Sequence, residues 1–286
     1  MRKIWIVGSS GQIGTALNNM LNPLDFEVFD TDHSELDITK INDVINFAVI
    51  NRPSIIIDCA GIASYKECEN DPQKAYLTNT LGARNIAIAA AKVSAKIVYI
   101  STDDVFDGTS KTPYGEFDAT NPQSVYGKSK LYGENFVKDL ARRHFIIRST
   151  WVYGKGENFV NYILDYSKDH ESIEVTNEQM GSPTSANVLA KFILKLVQGS
   201  EYGTYHVTCQ GVCSRAEFAT EVLRLAGSKT KVIPVPGSGT KYSENHPTYA
   251  VLDNFILKIE NHYKLPTWQK ALEDYFKKPA SKKGRK

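Results

Sequence analysis

Apolar residues along this chain alternate between two spacings. Short apolar runs at residues 3–7, 55–61, 96–101 and 144–148, each opening into glycine or other small residues, predict buried strands, and Glu27-Val28-Phe29-Asp30 closes one more. Between them the spacing becomes helical. Ile13, Ala16, Leu17, Met20 and Leu21 mark one helix, and Ile41, Val44, Ile45, Ala48 and Val49 a second that Pro53 ends. An alanine-rich stretch at residues 75–92 predicts a long third helix, and Leu131, Glu134, Val137, Lys138 and Leu140 extend a fourth behind Tyr126. Five strand–helix units in the first 150 residues predict an α/β fold with a doubly wound parallel sheet.

The regular alternation then stops. Helices are expected near residues 158–168, 188–196, 215–226 and 266–276, with strands near 173–176, 203–207 and 231–235. The division expected is 1–150 for a dinucleotide-binding domain and 151–276 for a smaller α+β substrate lobe, partly interwoven with the first and sharing a cleft with it. Residues 277–286 form a basic tail without apolar anchors, expected to be disordered.

Composition changes this picture little. At 42% hydrophobic and 23% charged residues the chain is of ordinary globular type, and a net charge of +2 gives no general drive toward nucleic acid. No apolar run is long enough to span a bilayer, and the N-terminal segment lacks a signal peptide's apolar region and cleavage site, so a cytoplasmic protein is expected. Four scattered cysteines make no disulfide framework. His206, Cys209 and Cys213 lack a fourth ligand at a recognisable spacing, so no metal site is expected.

The candidate chemistry begins at Gly8-Ser9-Ser10-Gly11-Gln12-Ile13-Gly14, between the first strand and the first helix. Such a turn lets backbone approach a diphosphate and aims a helix N-terminus at it. Asp30 falls 16 residues beyond Gly14, where a carboxylate accepts hydrogen bonds from a ribose or is simply a polar loop residue. As a ribose ligand it would repel a 2′-phosphate and lean the choice between NAD and NADP toward NAD. Asp37 either caps the second helix or lies under an adenine; Asn79 either braces the site or sits on a helix surface. Small residues ending the third strand, Ala60 and Gly61, let a flat cofactor lie close.

Thr102 follows the fourth strand at the edge where open parallel sheets bind ligands, so its hydroxyl can face a substrate carbonyl. A long stretch containing Pro113, Gly115 and Pro122 then leads to Tyr126-Gly127-Lys128-Ser129-Lys130. Tyr126 and Lys130, four apart, share a helix face. A phenol beside an ammonium gives up its proton more readily, which suits the protonation that completes a ketone reduction. The plainer reading is an exposed basic helix carrying a tyrosine.

Taken in order, these motifs resemble the extended short-chain dehydrogenase/reductases, and most of all the dTDP-4-dehydrorhamnose reductase family. The likeness extends through Leu36-Asp37-Ile38-Thr39, Ser101-Thr102-Asp103-Asp104-Val105-Phe106-Asp107-Gly108, Arg148-Ser149-Thr150-Trp151-Val152-Tyr153-Gly154, Gln179-Met180-Gly181-Ser182-Pro183-Thr184 and Leu265-Pro266-Thr267-Trp268. It implies Tyr126 as proton donor, Lys130 as the group that lowers its pKa and holds the nicotinamide ribose, and Thr102 as the residue orienting the keto oxygen. Gly11, Gln12, Ile13, Asp30, Asp37, Ile38, Gly61, Ile62 and Ala63 match cofactor contacts; Asp103 and Trp151 match substrate contacts. The implied reaction is NAD(P)H-dependent reduction of a nucleotide-linked 4-keto-6-deoxysugar for surface polysaccharide. A homodimer is left open.

The chain departs from the family at Asp104, where tyrosine is usual, at Tyr65 and Lys66, where valine and aspartate are usual, at Glu178, and around His246. These changes predict kept chemistry with an altered sugar or nucleotide pocket. Two other functions stay open: an NAD(P)-binding regulatory subunit with little turnover, and an epimerase or dehydratase that would use Asp103 and Asp104.

Overall fold

In the computed structural model, which describes residues 2–237, 247–260 and 264–277, the apolar runs become parallel strands. The order is β1 (Arg2–Val7), α1 (Gln12–Met20), β2 (Phe26–Thr31), α2 (Ile41–Asn51), β3 (Ile55–Asp58), two short helices α3 (Tyr65–Asn70) and α4 (Pro72–Ala75), α5 (Ala83–Lys92), β4 (Lys96–Thr102), α6 (Val125–Leu140) and β5 (His144–Ser149). There follow β6 (Val152–Tyr153), α7 (Phe159–Tyr166), β7 (Ser172–Thr176), β8 (Met180–Gly181), β9 (Thr184–Ser185), α8 (Ala186–Leu196) and β10 (Gly203–His206). The last elements are β11 (Cys213–Ser214), α9 (Arg215–Ala226), β12 (Lys231–Val235), β13 (Tyr249–Ala250), α10 (Phe255–Glu260) and α11 (Trp268–Phe276).

The central sheet has six strands in the order β10-β5-β4-β3-β1-β2, and each pairing in it is parallel. Two apolar layers cover its faces. One packs Ile4, Ile6, Ile57, Val98 and Phe145 against Leu17 of α1 and Leu189 and Ile193 of α8. The other packs Trp5, Ile56, Ile97 and Ile146 against Val44 of α2, Ile86 of α5 and Val137 of α6. A strand buried on both faces needs apolar residues on both, which is why these strands read as runs rather than alternations.

The sixth strand is β10, from residues expected to belong to the second part of the chain. A hydrogen-bonding edge on β5 and a covering helix, α8, draw residues 186–206 back to the first sheet. Elements β6, α7, β7, α9 and α11 form a separate core of Tyr153, Phe159, Ile163, Val175, Phe218, Val222 and Trp268, while α10 packs Leu257 onto the first. The division expected at residue 150 marks where the regular alternation ends, while the sheet takes a strand from beyond it.

The helix expected over residues 75–92 is interrupted: Tyr76–Gly82 is π-helical. The widened turn carries Asn79 inward. Its Oδ1 accepts from Ile62 N–H at 2.7 Å, and its Nδ2 donates to Ile62 O at 3.0 Å and to Ser129 Oγ at 2.9 Å. Asn79 is thus a buried brace between the segment after β3 and α6, rather than a surface residue. His246 and residues 278–286 of the basic tail lie outside the described residues.

Candidate active site

At the carboxyl end of β1 the chain turns through Gly8 and enters α1 at Gln12, with Gly11 as an N-cap that provides no side-chain hydrogen bond. The first N–H groups of α1 therefore point out uncapped by any side chain. A Cβ on Gly14 would lie 2.5 Å from Gly8 O, so only glycine lets the helix start this close to the turn. Gln12 Oε1 is buried without a hydrogen-bond partner among the described residues. A tight backbone cradle with an unpaired polar atom beside it fits a dinucleotide's diphosphate.

Asp30 is exposed near the end of β2; burial nudges its carboxyl upward, against a hydrogen bond from Asn18. Asp37 forms a local turn, its Oδ1 accepting from Thr39 N–H at 3.0 Å and Thr39 Oγ1 at 2.7 Å, and it does not cap α2, whose N-cap is Lys40. Ile38 is buried in the core under α5, and Ala60 N–H is held by Asp58 Oδ1 at 3.1 Å. Ile62, tied through its backbone to Asn79, and Ala63 continue from Gly61 toward α3.

Lys130 sits beside Gly61, its Nζ 3.7 Å from where a Cβ there would stand and 4.1 Å above the centre of the Tyr99 ring. Burial lowers its pKa to about 8, opposed by the buried carboxyl of Asp58. Burial in turn raises Asp58 to about 6, opposed by Lys130. Tyr126 lies one turn earlier on α6, whose first turn is capped by Ser124 Oγ. A Cβ on Gly127 would lie 2.1 Å from Asp104 O, so this glycine lets α6 close on the segment after β4. The Thr102 hydroxyl then comes close enough to the Tyr126 phenol to favour its ionised form.

The phenol's pKa does not fall as expected for a tyrosine beside a lysine. Burial raises it, the Asp104 carboxylate raises it further, the Thr102 hydrogen bond opposes them, and Asp103 adds to the rise. The physical reason is distance and direction: the ammonium faces Asp58 and Tyr99, while two carboxyls face the phenol. Tyr126 therefore holds its proton at neutral pH, the form a reduction requires.

The sequence singled out Asp103 and Trp151 but missed the group between them. Arg215, the first residue of α9, is buried, and its guanidinium lies 3.7 Å from the centre of the Trp151 ring and 4.8 Å from that of Phe159. Its charge acts on both Asp103 and Asp104, which burial raises to about 7. A signal existed: Arg215 shares a face with the buried Phe218, Ala219 and Val222, which is no place for an unpaired arginine. Trp151 adopts φ +45°, a backbone strain carried beside the cleft. Tyr65, one of the departures, is buried against Tyr126 with ring centres 5.5 Å apart, whereas Lys66 is exposed.

The RmlD substrate binding domain family matches residues 1–281. The spore coat polysaccharide biosynthesis protein SpsK of Bacillus subtilis is 33% identical, the match covering 98% of this chain and 99% of that protein. A crystal structure of a dTDP-4-dehydrorhamnose reductase from Clostridium acetobutylicum superposes with a TM-score of 0.92 at 41% identity, covering 96% of this chain and 98% of the other. The dTDP-4-dehydrorhamnose reductase of Bacillus anthracis, solved in complex with NADP, superposes with a TM-score of 0.93 at 39% identity, covering 96% and 99%. The chain belongs to the RmlD substrate binding domain family and is an NAD(P)-dependent oxidoreductase of the short-chain dehydrogenase/reductase type. Among the described residues no helix is long and apolar enough to cross a membrane.

Proposed function

We propose that the protein reduces the keto group of a nucleotide-linked 4-keto-6-deoxysugar, with dTDP as the carrier its relatives' names point to, toward a deoxysugar for polysaccharide. The observation that carries this reading is a half-buried, protonated Tyr126 beside the Thr102 hydroxyl, with Lys130 beside Gly61 at the carboxyl edge of the sheet. The nicotinamide, when bound, supplies the hydride. The N-terminus of α1 and Gly11, Gln12 and Ile13 hold the diphosphate, and Lys130 holds the nicotinamide ribose. Thr102 orients the substrate oxygen and Tyr126 gives it a proton. Asp103 and Trp151 hold the sugar from the side of α9. Tyr65, filling space beside Tyr126, narrows the sugar pocket relative to the family's usual valine.

The test is oxidation of NADH or NADPH by the protein with dTDP-4-dehydrorhamnose and related keto sugars. Tyr126→Phe should lower the rate about 10²–10⁴-fold, and an undiminished rate refutes the role of Tyr126. A second reading is favoured by the adjacent Asp103 and Asp104 carboxyls, both held near neutrality: an epimerase or dehydratase needs an acid and a base of this kind. It predicts sugar conversion with no net consumption of the nicotinamide.

A further inference from the structure

Asp104 is a buried carboxyl that the reading above leaves without a task. Its Oδ1 has no hydrogen-bond partner among the described residues, and its Oδ2 lies 3.2 Å from Thr102 Oγ1. We propose, resting on the reductase reading, that Asp104 carries a proton that turns the Thr102 hydroxyl toward Tyr126, making it a positioning residue and proton reserve for the reduction.

Thr102 Oγ1 has one proton and two lone pairs. One lone pair accepts the Asp104 backbone N–H at 3.2 Å. The other lone pair and the proton are left for Asp104 Oδ2, Asp103 Oδ1 at 3.3 Å and the Tyr126 phenol. With Asp104 ionised, Oδ2 only accepts, so Thr102 spends its proton on a carboxylate and Tyr126 must donate to Thr102, turning its own proton from the substrate. With Asp104 protonated, Oδ2–H donates to Thr102, Thr102 donates to the phenol oxygen, and the Tyr126 proton is left for the keto oxygen. Neutral Asp104 also removes a charge that opposes phenolate.

The surroundings put the proton on Asp104. The adjacent carboxyls of half-buried Asp103 and buried Asp104 both feel the charge of the buried Arg215, and desolvation pushes both up to about 7. Asp103 is half-exposed, so water can solvate its charge, whereas Asp104 is buried with Oδ1 unpartnered among the described residues, which favours its neutral form. The remaining titratable groups around Asp104 are Tyr126 on α6 and, across a small cavity, Tyr65 on α3 and the half-buried Asp107.

In the step itself, the carbonyl carbon receives a hydride from the reduced nicotinamide and the carbonyl oxygen receives the proton of Tyr126. Tyr126 recovers a proton from Thr102, and Thr102 from Asp104, which is left a carboxylate facing Arg215. The ketone is reduced to an alcohol, the nicotinamide oxidised, and one proton consumed. Asp104 is reprotonated from water through the cavity lined by Tyr65, Asp107, Gln123 and Ser124.

Two measurements test this. Carboxyl-carbon NMR of aspartate-labelled wild type, Asp104→Asn and Asp103→Asn should assign to Asp104 a resonance that titrates near neutrality, is missing from Asp104→Asn and still titrates there in Asp103→Asn. This arm needs no turnover, so it decides the protonation even if every keto sugar fails and the reductase reading falls. Single-turnover rates should fall about tenfold per pH unit above that titration in wild type. In Asp104→Asn, whose amide always donates to Thr102 but cannot release a proton, the rate should be about 10–100-fold lower and independent of pH over the same range. Asp104→Leu, should the asparagine variant misfold, should show the same loss of the limb. A carboxyl at position 104 already ionised at pH 5, or a descending limb that survives in either variant, overturns the proposal.

Discussion

The two walls of the cleft are built in different ways. The cofactor wall is backbone: the turn at Gly8, the uncapped start of α1 and the small residues after β3 come from consecutive stretches of chain. The opposite wall is side chain, assembled from Tyr65 on α3, Thr102 and the two aspartates after β4, Tyr126 on α6, Trp151 after β5 and Arg215 on α9. Backbone geometry tolerates little change, because the atoms it brings together are peptide groups. A side-chain wall can be rebuilt one residue at a time, and the chain's described departures, Tyr65, Lys66, Asp104 and Glu178, lie away from the glycine turn. Catalytic groups kept inside a rebuilt wall are the arrangement expected of an enzyme whose substrate differs from its relatives'.

The sharpest break in this comparison is Arg215→Leu. Removing the cation whose charge acts on Asp103 and Asp104 should destabilise the protein by on the order of 3 kcal/mol at pH 8. The loss should shrink at pH 5, where the carboxyls are neutral; urea unfolding at both pH values measures it, and an equal loss at both removes Arg215 as their partner. Next comes Gly14→Ala on the backbone wall. Its Cβ would press on Gly8 O, costing about 1–3 kcal/mol and weakening NAD(P)H binding at least tenfold by fluorescence titration, with no dependence on pH.

Smaller is the effect of Asp104→Asn on stability. A carboxyl raised to about 7 in the folded protein from an ordinary 3.8 binds more protons folded than unfolded between those values. Its contribution is therefore full in acid and is lost as pH rises from about 4 through 7. Thermal unfolding of Asp104→Asn should decline less over that window than wild type by a few degrees. The smallest effect expected is Asp30→Ala, which should raise the preference for NADPH over NADH by about threefold or more if the carboxylate meets the ribose, as read from the two Michaelis constants. An unchanged ratio makes Asp30 a polar loop residue.

Sequence alone reached the parallel sheet, the glycine turn and the Tyr126–Lys130 pair. Each rests on local spacing: a run of apolar residues for a strand buried on both faces, glycines where a turn meets a helix, four residues for one helical turn. The family resemblance pointed to Asp103 and Trp151, and the fold sets both beside Arg215. What it did not reach was set by partners distant in the chain. The strand at Gly203–His206 joins the central sheet because β5 offers an unpaired edge, and no feature within four residues encodes that choice. The π-helical turn at Tyr76–Gly82 is fixed by Asn79 meeting Ile62 and Ser129, far from it in sequence. The charges at the centre show the same division most clearly. Spacing placed a lysine beside a tyrosine, but packing aimed that lysine at Asp58 and surrounded the phenol with Thr102, Asp103 and Asp104. Periodicity records which residues are buried; the energy of a buried charge depends on what else is buried with it, and only the folded chain decides that.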